Sequence, residues 1–283
     1  MKIPSHIEIC RMVDCRRLPA IPANCKRVYF GHETCEKLLP TFDEINNLLE
    51  TAEKRQLKLT FVTPFLTERG MEKVQLFLSQ LKSVNLTSFE IVSSDWGLIH
   101  WITQNKLGAP VISRFLTGQH VDFRTIDDES TTKEEIVLMD EICYKLRPKK
   151  KSPAMVEHFS SCTLIKDKTV EMLHKTGVTR FELSNVLQPI VLPDNPQCRY
   201  SLHTPFVPLT IFRSCPSNKD FNYIKKACNA HNCSQNRQKW QSGSSNRDLY
   251  CLDNALYYYH PDTESHLQQN DQIDRIVFHS IDI

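Results

Sequence analysis

The residues best suited to chemistry in this sequence are three cysteines that lie close together in its last third. Cys215, Cys228 and Cys233 follow the pattern C-x12-C-x4-C, and Cys215 comes shortly after a β-rich run that ends at Arg213. Thiolates are soft ligands that suit zinc and iron–sulfur clusters, and such sites usually have four ligands. Spacing alone favours ligation and simple packing of buried thiols about equally. His231 would complete a Cys3His zinc site, and a cysteine elsewhere would complete a four-thiolate site.

The segments that must position these cysteines alternate between short β-rich runs and amphipathic stretches. This alternation predicts parallel strands joined by crossover helices, and 283 residues suit one (β/α)8 TIM-like barrel, which could be irregular or incomplete. We therefore predict a single barrel domain over 1–283, with 122–153 as an insertion outside the barrel core. The predicted strands are 27–30, 57–65, 89–93, 110–115, 180–183, 199–202, 209–213 and 273–278, and the predicted helices are 42–56, 71–84, 98–104 and 164–174.

Several polar side chains at or beside the predicted strand ends are candidates for a pocket at the barrel mouth. Functional residues of such barrels gather at the carboxyl ends of the strands. Salt bridges across the rim explain the same residues equally well, and an aspartate before a helix also suits an N-cap role. The candidates for the pocket, or for supporting contacts around a metal, are Glu33, Asp95, Glu182, His203 and Arg213.

Composition argues against several classes of function. A net charge of +2 gives no general argument for a nucleic-acid partner. Only seven glycines occur, and neither G-x-G-x-x-G nor the P-loop motif is present, which argues against a glycine-cradled nucleotide. The G-x-S-x-G and H-E-x-x-H motifs of hydrolases are also absent.

The remaining cysteines are expected to be thiols rather than disulfides. The amino terminus has no apolar run of the signal-peptide type, and no segment approaches the roughly 18 apolar residues of a membrane helix, so we expect a cytoplasmic protein with no membrane span. Disulfides are rare in that compartment. Structural thiols before the barrel are predicted at Cys10, Cys15 and Cys25, and isolated inert ones at Cys143, Cys162 and Cys198.

Several short motifs, in order along nearly the whole chain, resemble the U32 peptidase-like family. The similarity is greatest to the iron–sulfur members that act in oxygen-independent ubiquinone hydroxylation and to uncharacterised relatives from anaerobes. The motifs are VYFGHETC at 28–35, LTFVTPFL at 59–66, VSSDWGLI at 92–99, RFELSNV at 180–186 and LHTPFVPLTIFRSCP at 202–216, then the C-x12-C-x4-C array, LDNALYYYH and DRIVFHS.

The resemblance implies a [4Fe-4S] cluster. In the cluster-bearing relatives, one cysteine after the first barrel strand joins three that follow a late strand. Carried over by position, the ligands are Cys35, Cys215, Cys228 and Cys233. The first and late strands of a closed barrel are neighbours, so ligands far apart in sequence are expected to meet. The last gap is longer than the C-x3-C of the hydroxylation proteins, which leaves Cys251 as a reserve ligand.

Three functions follow as hypotheses. The preferred one is an iron–sulfur barrel protein of an anaerobic redox or hydroxylation reaction, with an unidentified small-molecule substrate and a second U32-like protein as a heterodimer partner. A non-catalytic barrel with a structural zinc or cluster site is the second. The third is a cysteine- or metal-dependent hydrolase, although a peptidase label is not supported by any hydrolase motif and a cysteine bound to iron is unavailable as a nucleophile.

Overall fold

The computed structural model describes residues 3–15, 21–82, 84, 88–121, 153–162, 166–212, 238–241 and 248–279. Its strands are β1 (Glu8–Val13), β2 (Arg27–Gly31), β3 (Lys58–Thr63), β4 (Glu90–Ser93), β5 (Ala109–Ile112), β6 (Arg180–Ser184), β7 (Arg199–Thr204), β8 (Phe206–Ile211), β9 (Gln238–Gln241), β10 (Asp248–Leu252), β11 (Ala255–Tyr259) and β12 (Ile273–His279). Its α-helices are α1 (Asn46–Arg55), α2 (Glu68–Leu81), α3 (Trp96–Asn105), α4 (Pro153–Ser160), α5 (Asp167–Lys175) and α6 (Glu264–Gln269).

Eight parallel strands close into a barrel in the order β1-β12-β7-β6-β5-β4-β3-β2. The predicted TIM-like barrel is therefore confirmed, in a partly irregular form. Most predicted strands and helices coincide with observed ones to within a few residues. Residues 122–152 of the predicted insertion lie outside the described part of the chain.

Strand β2 shows how the sequence builds the two layers of the barrel. Successive side chains of a strand point to opposite faces. Val28 and Phe30 face outward into an apolar cluster with Leu48 of α1 and Leu78 of α2. Tyr29, the residue between them, points inward and bonds to other barrel strands. The amphipathic helices α1 and α2 cover this outer apolar face. Crossover helices cover parallel sheets in this way, so that both faces of the sheet are buried.

The interior of the barrel is charged at one end and apolar in the middle. At the amino ends of the strands, arginines and carboxylates pair across the barrel in a group that we call the lower cluster, comprising Glu8, Arg27, Glu90, Arg180 and Arg275. Above it lies an apolar layer with Tyr29, Cys10, Val62, Val92, Val111 and Val277. The strand ends above this layer form the mouth.

The first barrel strand is β1, which the sequence prediction missed. Cys10 lies within this strand, and Cys25 lies two residues before β2, so the interpretation of these thiols as preceding the barrel was wrong. The inward positions of β1 include Glu8, which pairs with arginines on the neighbouring strands β2 and β12. A charged residue facing the barrel interior breaks the usual alternation of buried apolar and exposed polar residues, which is why the pattern was not recognised.

A second, antiparallel sheet has the order β8-β11-β10-β9. The sequence predicted a barrel strand over 209–213, but this segment overlaps β8, which pairs with β11 outside the barrel. A parallel strand needs a crossover connection of a dozen or more residues, whereas Pro205 alone separates β7 from β8. Val207 and Tyr258 of this sheet share a buried apolar cluster with Leu202 of β7.

Within the described ranges, no helix is long and apolar enough to cross a membrane.

Candidate functional site

Five side chains meet where the strands end at the mouth of the barrel. We call them the mouth cluster: Glu33, Arg114, Glu182, His203 and His279. Glu33 and Arg114 each follow a barrel strand by two residues, while the other three are on inward positions of β6, β7 and β12. All five side chains are at least nine-tenths buried.

The carboxylate of Glu33 is gripped on both oxygens by Arg114. Arg114 Nε donates to Oε1 at 2.8 Å, and Nη2 donates to Oε2 at 2.5 Å. Nη1 donates to the carbonyl oxygen of Phe206 at 2.7 Å, which fixes the guanidinium against the start of β8. Burial is the largest single influence and raises the pKa of Glu33, but the charges of Arg114 and the two histidines and the hydrogen bonds from Arg114 together outweigh burial and lower this pKa to about 2. Glu33 is therefore a fixed carboxylate.

The other half of the mouth cluster is a chain of three side chains. His203 Nε2 donates to Glu182 Oε2 in a short hydrogen bond, and His203 Nδ1 lies 2.8 Å from His279 Nε2. Because a carboxylate only accepts, the proton on Nε2 of His203 is fixed and its Nδ1 faces the mouth. Burial, the largest effect, lowers the pKa of His279 well below its usual value, and Arg114 and His203 act in the same direction against Glu33. His279 is thus held neutral.

Tyr29 connects the mouth cluster to the lower cluster. Its hydroxyl donates to Glu182 Oε1 at 3.1 Å and accepts from Arg275 Nη1 at 2.8 Å. Its ring meets the imidazole of His203 edge to face, with 5.8 Å between centroids. Glu182 therefore has both oxygens satisfied inside the barrel, and it supports His203 from below.

The loop after β2 holds Cys35 beside the mouth cluster. His32 Nδ1 accepts from the backbone nitrogens of Thr34 and Cys35 at 3.2 and 3.0 Å. The loop is clamped by the turn between β10 and β11, where Asp253 binds His32 Nε2 at 3.0 Å and Asn254 Nδ2 donates to the carbonyl oxygen of Thr34 at 2.8 Å. Cys35 is therefore on an anchored, half-buried loop.

The geometry of His32 argues against a cysteine–histidine nucleophile at Cys35. In such a pair, one ring nitrogen binds the thiol and the other is oriented by a third group. Here Nδ1 of His32 accepts two backbone N–H groups and Nε2 pairs with Asp253. Both ring nitrogens are committed, so His32 has none to offer the Cys35 thiol.

The structure brings together three of the predicted pocket residues, Glu33, Glu182 and His203. Asp95 lies apart from them as the N-cap of α3, where its side chain accepts from the backbone nitrogen of Leu98 at 3.1 Å. The predicted cluster ligand Cys35 is at the mouth. Four further predicted site residues, Arg213, Cys215, Cys228 and Cys233, lie outside the described residues, and Cys251 is buried in β10.

Sequence reasoning missed Arg114 and His279. The predicted strand over 110–115 included Arg114, which hid it as a strand residue, whereas β5 ends at Ile112. His279 directly follows the predicted strand 273–278. The rule that selected Glu33, namely a polar side chain at a strand end, could have found both.

An α/β barrel with a histidine–carboxylate cluster at its mouth is thus the class that fold and site define. No protein-family model matches the sequence, and no curated protein matches it either. Among solved structures, the U32 peptidase Mk0906 is similar over 100% of this chain and 96% of that chain, with a TM-score of 0.46 and 9% sequence identity. A likeness at this level does not establish membership of a family.

Proposed function

We propose that the protein is an iron–sulfur barrel enzyme of an oxygen-independent redox or hydroxylation reaction. Its [4Fe-4S] cluster would be held by Cys35, Cys215, Cys228 and Cys233, beside the mouth cluster. A cluster at that position would supply or accept single electrons next to the buried acid–base groups. The sequence resemblance supports a second U32-like protein as its heterodimer partner and a small molecule as its substrate.

The observation that carries the proposal is the position of Cys35. It lies two residues after Glu33, on a loop whose backbone is fixed by His32 and by the β10–β11 turn. A thiolate ligand needs such a fixed position, because ordering a mobile loop would subtract from the free energy of metal binding. The catalytic ends of barrel strands are also where a redox centre would meet a substrate.

The second sheet brings Phe212, the last described residue before Cys215 in the sequence, close to this loop. Phe212 donates its backbone N–H to Asn254 O at 2.7 Å, and the side chain of Asn254 donates to Thr34 O at 2.8 Å. Asn254 therefore links Phe212 to the Cys35 loop through two hydrogen bonds. Cys215 follows Phe212 by three residues, a length that spans at most about 10 Å.

The strands that bring this part of the chain to the Cys35 loop differ from those expected from the sequence. We expected the strand before Cys35 to border the late strand before Cys215 directly. The strand before Cys35 is β2, which pairs with β1 and β3. The chain instead leaves the barrel at Pro205 and returns toward Cys35 along β8.

Anaerobic purification with iron and sulfide analysis, absorption and EPR tests the proposal. We expect about four iron and four sulfide per chain in the wild type. Cys35→Ala should lose the intact cluster, while Cys25→Ala, which removes a thiol from the opposite end of β2, should keep it. Loss of the cluster in both variants would argue for a general effect on folding.

Three outcomes would contradict parts of the proposal. Anaerobically prepared wild type without iron would overturn the cluster. Zinc in its place would favour the structural alternative, in which a metal ties the Cys35 loop to the later segment. A full cluster in Cys35→Ala would show that the fourth ligand is another residue, with Cys251 the next candidate.

A further inference from the structure

We infer that the mouth cluster is a second metal site, in which Glu33, His203 and His279 bind one divalent first-row transition ion. The three side chains each offer one donor atom, and these atoms all lie within 4.8 Å of one another. The site shares no ligand with the cysteine centre. The metal site at the mouth can therefore be tested independently of the proposed function.

The spacing of the donor atoms suits a metal that is bound by small adjustments. His203 Nδ1 lies 2.8 Å from His279 Nε2 and 3.7 Å from Glu33 Oε1. Two ligands at about 2.1 Å from a metal and at right angles are about 3 Å apart, by the usual metal–nitrogen distances. Coordination would replace the contact between the two imidazoles with two bonds to the ion.

The surrounding contacts are those that orient metal ligands. A ligating histidine almost always donates its other N–H to a carboxylate or carbonyl group. His203 does so toward Glu182, which leaves Nδ1 as the nitrogen that faces the other donors. Arg114 orients the Glu33 carboxylate and uses two of its roughly four lone-pair sites, so that lone pairs remain for an ion.

The fixed charge at the mouth also favours a cation. Two carboxylates, Glu33 and Glu182, face one guanidinium, Arg114, so these three groups carry a net charge of −1. Arg275 reaches Glu182 only through Tyr29, and it is itself paired with Glu8 and Glu90. Arg114 and, at longer range, Arg11, whose charge also lowers the pKa of His279, oppose a cation, and the direct contact of Arg114 with Glu33 limits the affinity.

The donor set indicates which ions would bind. Two imidazoles and one carboxylate suit Fe²⁺, Zn²⁺ and their neighbours, whereas Mg²⁺ and Ca²⁺ prefer oxygen ligands alone. A set of two histidines and one carboxylate leaves coordination positions open for water or substrate. The mouth would then hold an exchangeable ion beside the thiolate-bound cluster.

X-ray absorption at the cobalt edge of the full chain, loaded anaerobically with one equivalent of Co²⁺, tests the site in the wild type. Because the method is element-specific, iron in the cysteine centre does not interfere. We expect two imidazoles and only nitrogen or oxygen ligands around cobalt. A sulfur shell, fewer than two imidazoles or no bound cobalt would overturn the inference, and this result needs no variant to fold.

Variants then assign the ligands by Co²⁺ titration. His279→Gln and Glu33→Gln should weaken binding by more than about 100-fold, and Glu182→Gln by about 10- to 100-fold, the usual range for a supporting residue. His260→Gln, which changes a histidine on the same rim that donates to Asn185 O, should bind Co²⁺ like the wild type. Unchanged affinity in His279→Gln and Glu33→Gln would overturn the inference.

Cys35→Ala separates the two proposals. The variant should lose the iron–sulfur cluster and keep the Co²⁺ affinity of the wild type. If it loses Co²⁺ binding while the unfolding midpoint is unchanged, cobalt binds at the cysteines and the mouth site is wrong.

Discussion

The two ends of the barrel interior bury charge in different ways. At the lower end, Arg275 contacts two carboxylates, with Nε 2.8 Å from Glu8 and Nη1 2.7 Å from Glu90. Arg27 lies within 4 Å of both carboxylates, and Arg180 lies within 4 Å of Glu90. At the mouth, one guanidinium grips one carboxylate, and two imidazoles take the place of further arginines.

The difference separates a structural end from a chemical one. Guanidinium groups stay protonated and offer no lone pair to a metal or substrate. A neutral imidazole, such as that of His279, keeps a nitrogen lone pair that can bind a metal. The lower cluster is therefore suited to holding strands together, and the mouth cluster to binding.

Arg275→Met should produce the largest loss of stability. It leaves the half-buried Glu8 and Glu90 with weaker partners inside the barrel, and removing one member of a buried ion pair costs about 3–5 kcal/mol. Urea unfolding followed by circular dichroism measures the change. The control is Lys54→Met in the exposed pair with Glu50, which should cost less than about 0.5 kcal/mol. An equal loss of unfolding free energy in the two variants would contradict a structural role for the lower cluster.

Arg114→Met should cost less, about 2–3 kcal/mol, because a charged hydrogen-bonded partner is lost but His203 and His279 remain within 4 Å of Glu33. Arg114→Lys keeps the charge but loses the bidentate contact, so its unfolding free energy should lie between those of Arg114→Met and the wild type. The same unfolding experiment applies. A larger loss than in Arg275→Met would reverse the proposed assignment of the two ends.

The lower cluster should also make the protein sensitive to acid. Burial raises the pKa of Glu90, but hydrogen bonding and charge from Arg275, with Arg27 and Arg180, lower it below its usual 4.5. A carboxyl group with a lowered pKa in the fold stabilises above its unfolded pKa and loses this contribution as pH falls through the folded pKa.

Glu90→Gln removes that titration. Urea midpoints measured from pH 7 downward should therefore fall less steeply below about pH 4.5 in Glu90→Gln than in the wild type. Glu50→Gln, at an exposed position, should follow the wild-type curve. Parallel curves for wild type and Glu90→Gln would show that Glu90 titrates alike in both states.

Asp253→Asn should have the smallest effect, below about 1 kcal/mol, because an asparagine oxygen can still accept from His32. Asparagine also tolerates the positive φ of 57° at this turn. Iron content and unfolding midpoint should both stay close to those of the wild type. Asp253→Ala removes the acceptor, so a loss of iron confined to the alanine variant would show that the clamp on the loop orders Cys35.

The sequence was sufficient for the barrel fold, apart from β1, and for three of the five residues of the mouth cluster. Periodic alternation predicts strands and helices because it depends on neighbouring residues, and polar strand ends identified Glu33, Glu182 and His203. Partnerships across the barrel are different. Glu33 and Arg114 are 81 residues apart, and no local pattern records that they meet. The second sheet was missed for the same reason, since a run such as 209–213 indicates a strand but not its partner.

The pairing of β1 with β12 has a consequence for synthesis of the chain. The hydrogen bond between Glu8 and Arg275 joins residues 267 positions apart. During synthesis on the ribosome, Glu8 emerges early, but it can pair with Arg275 only after almost all of the described chain has emerged. Long-range pairings of this kind are slow to form and leave strand edges open. An acidic residue on the unpaired edge of β1 discourages pairing with other chains. Glu8 therefore protects the partly synthesised chain and, through Arg275, stabilises the folded barrel.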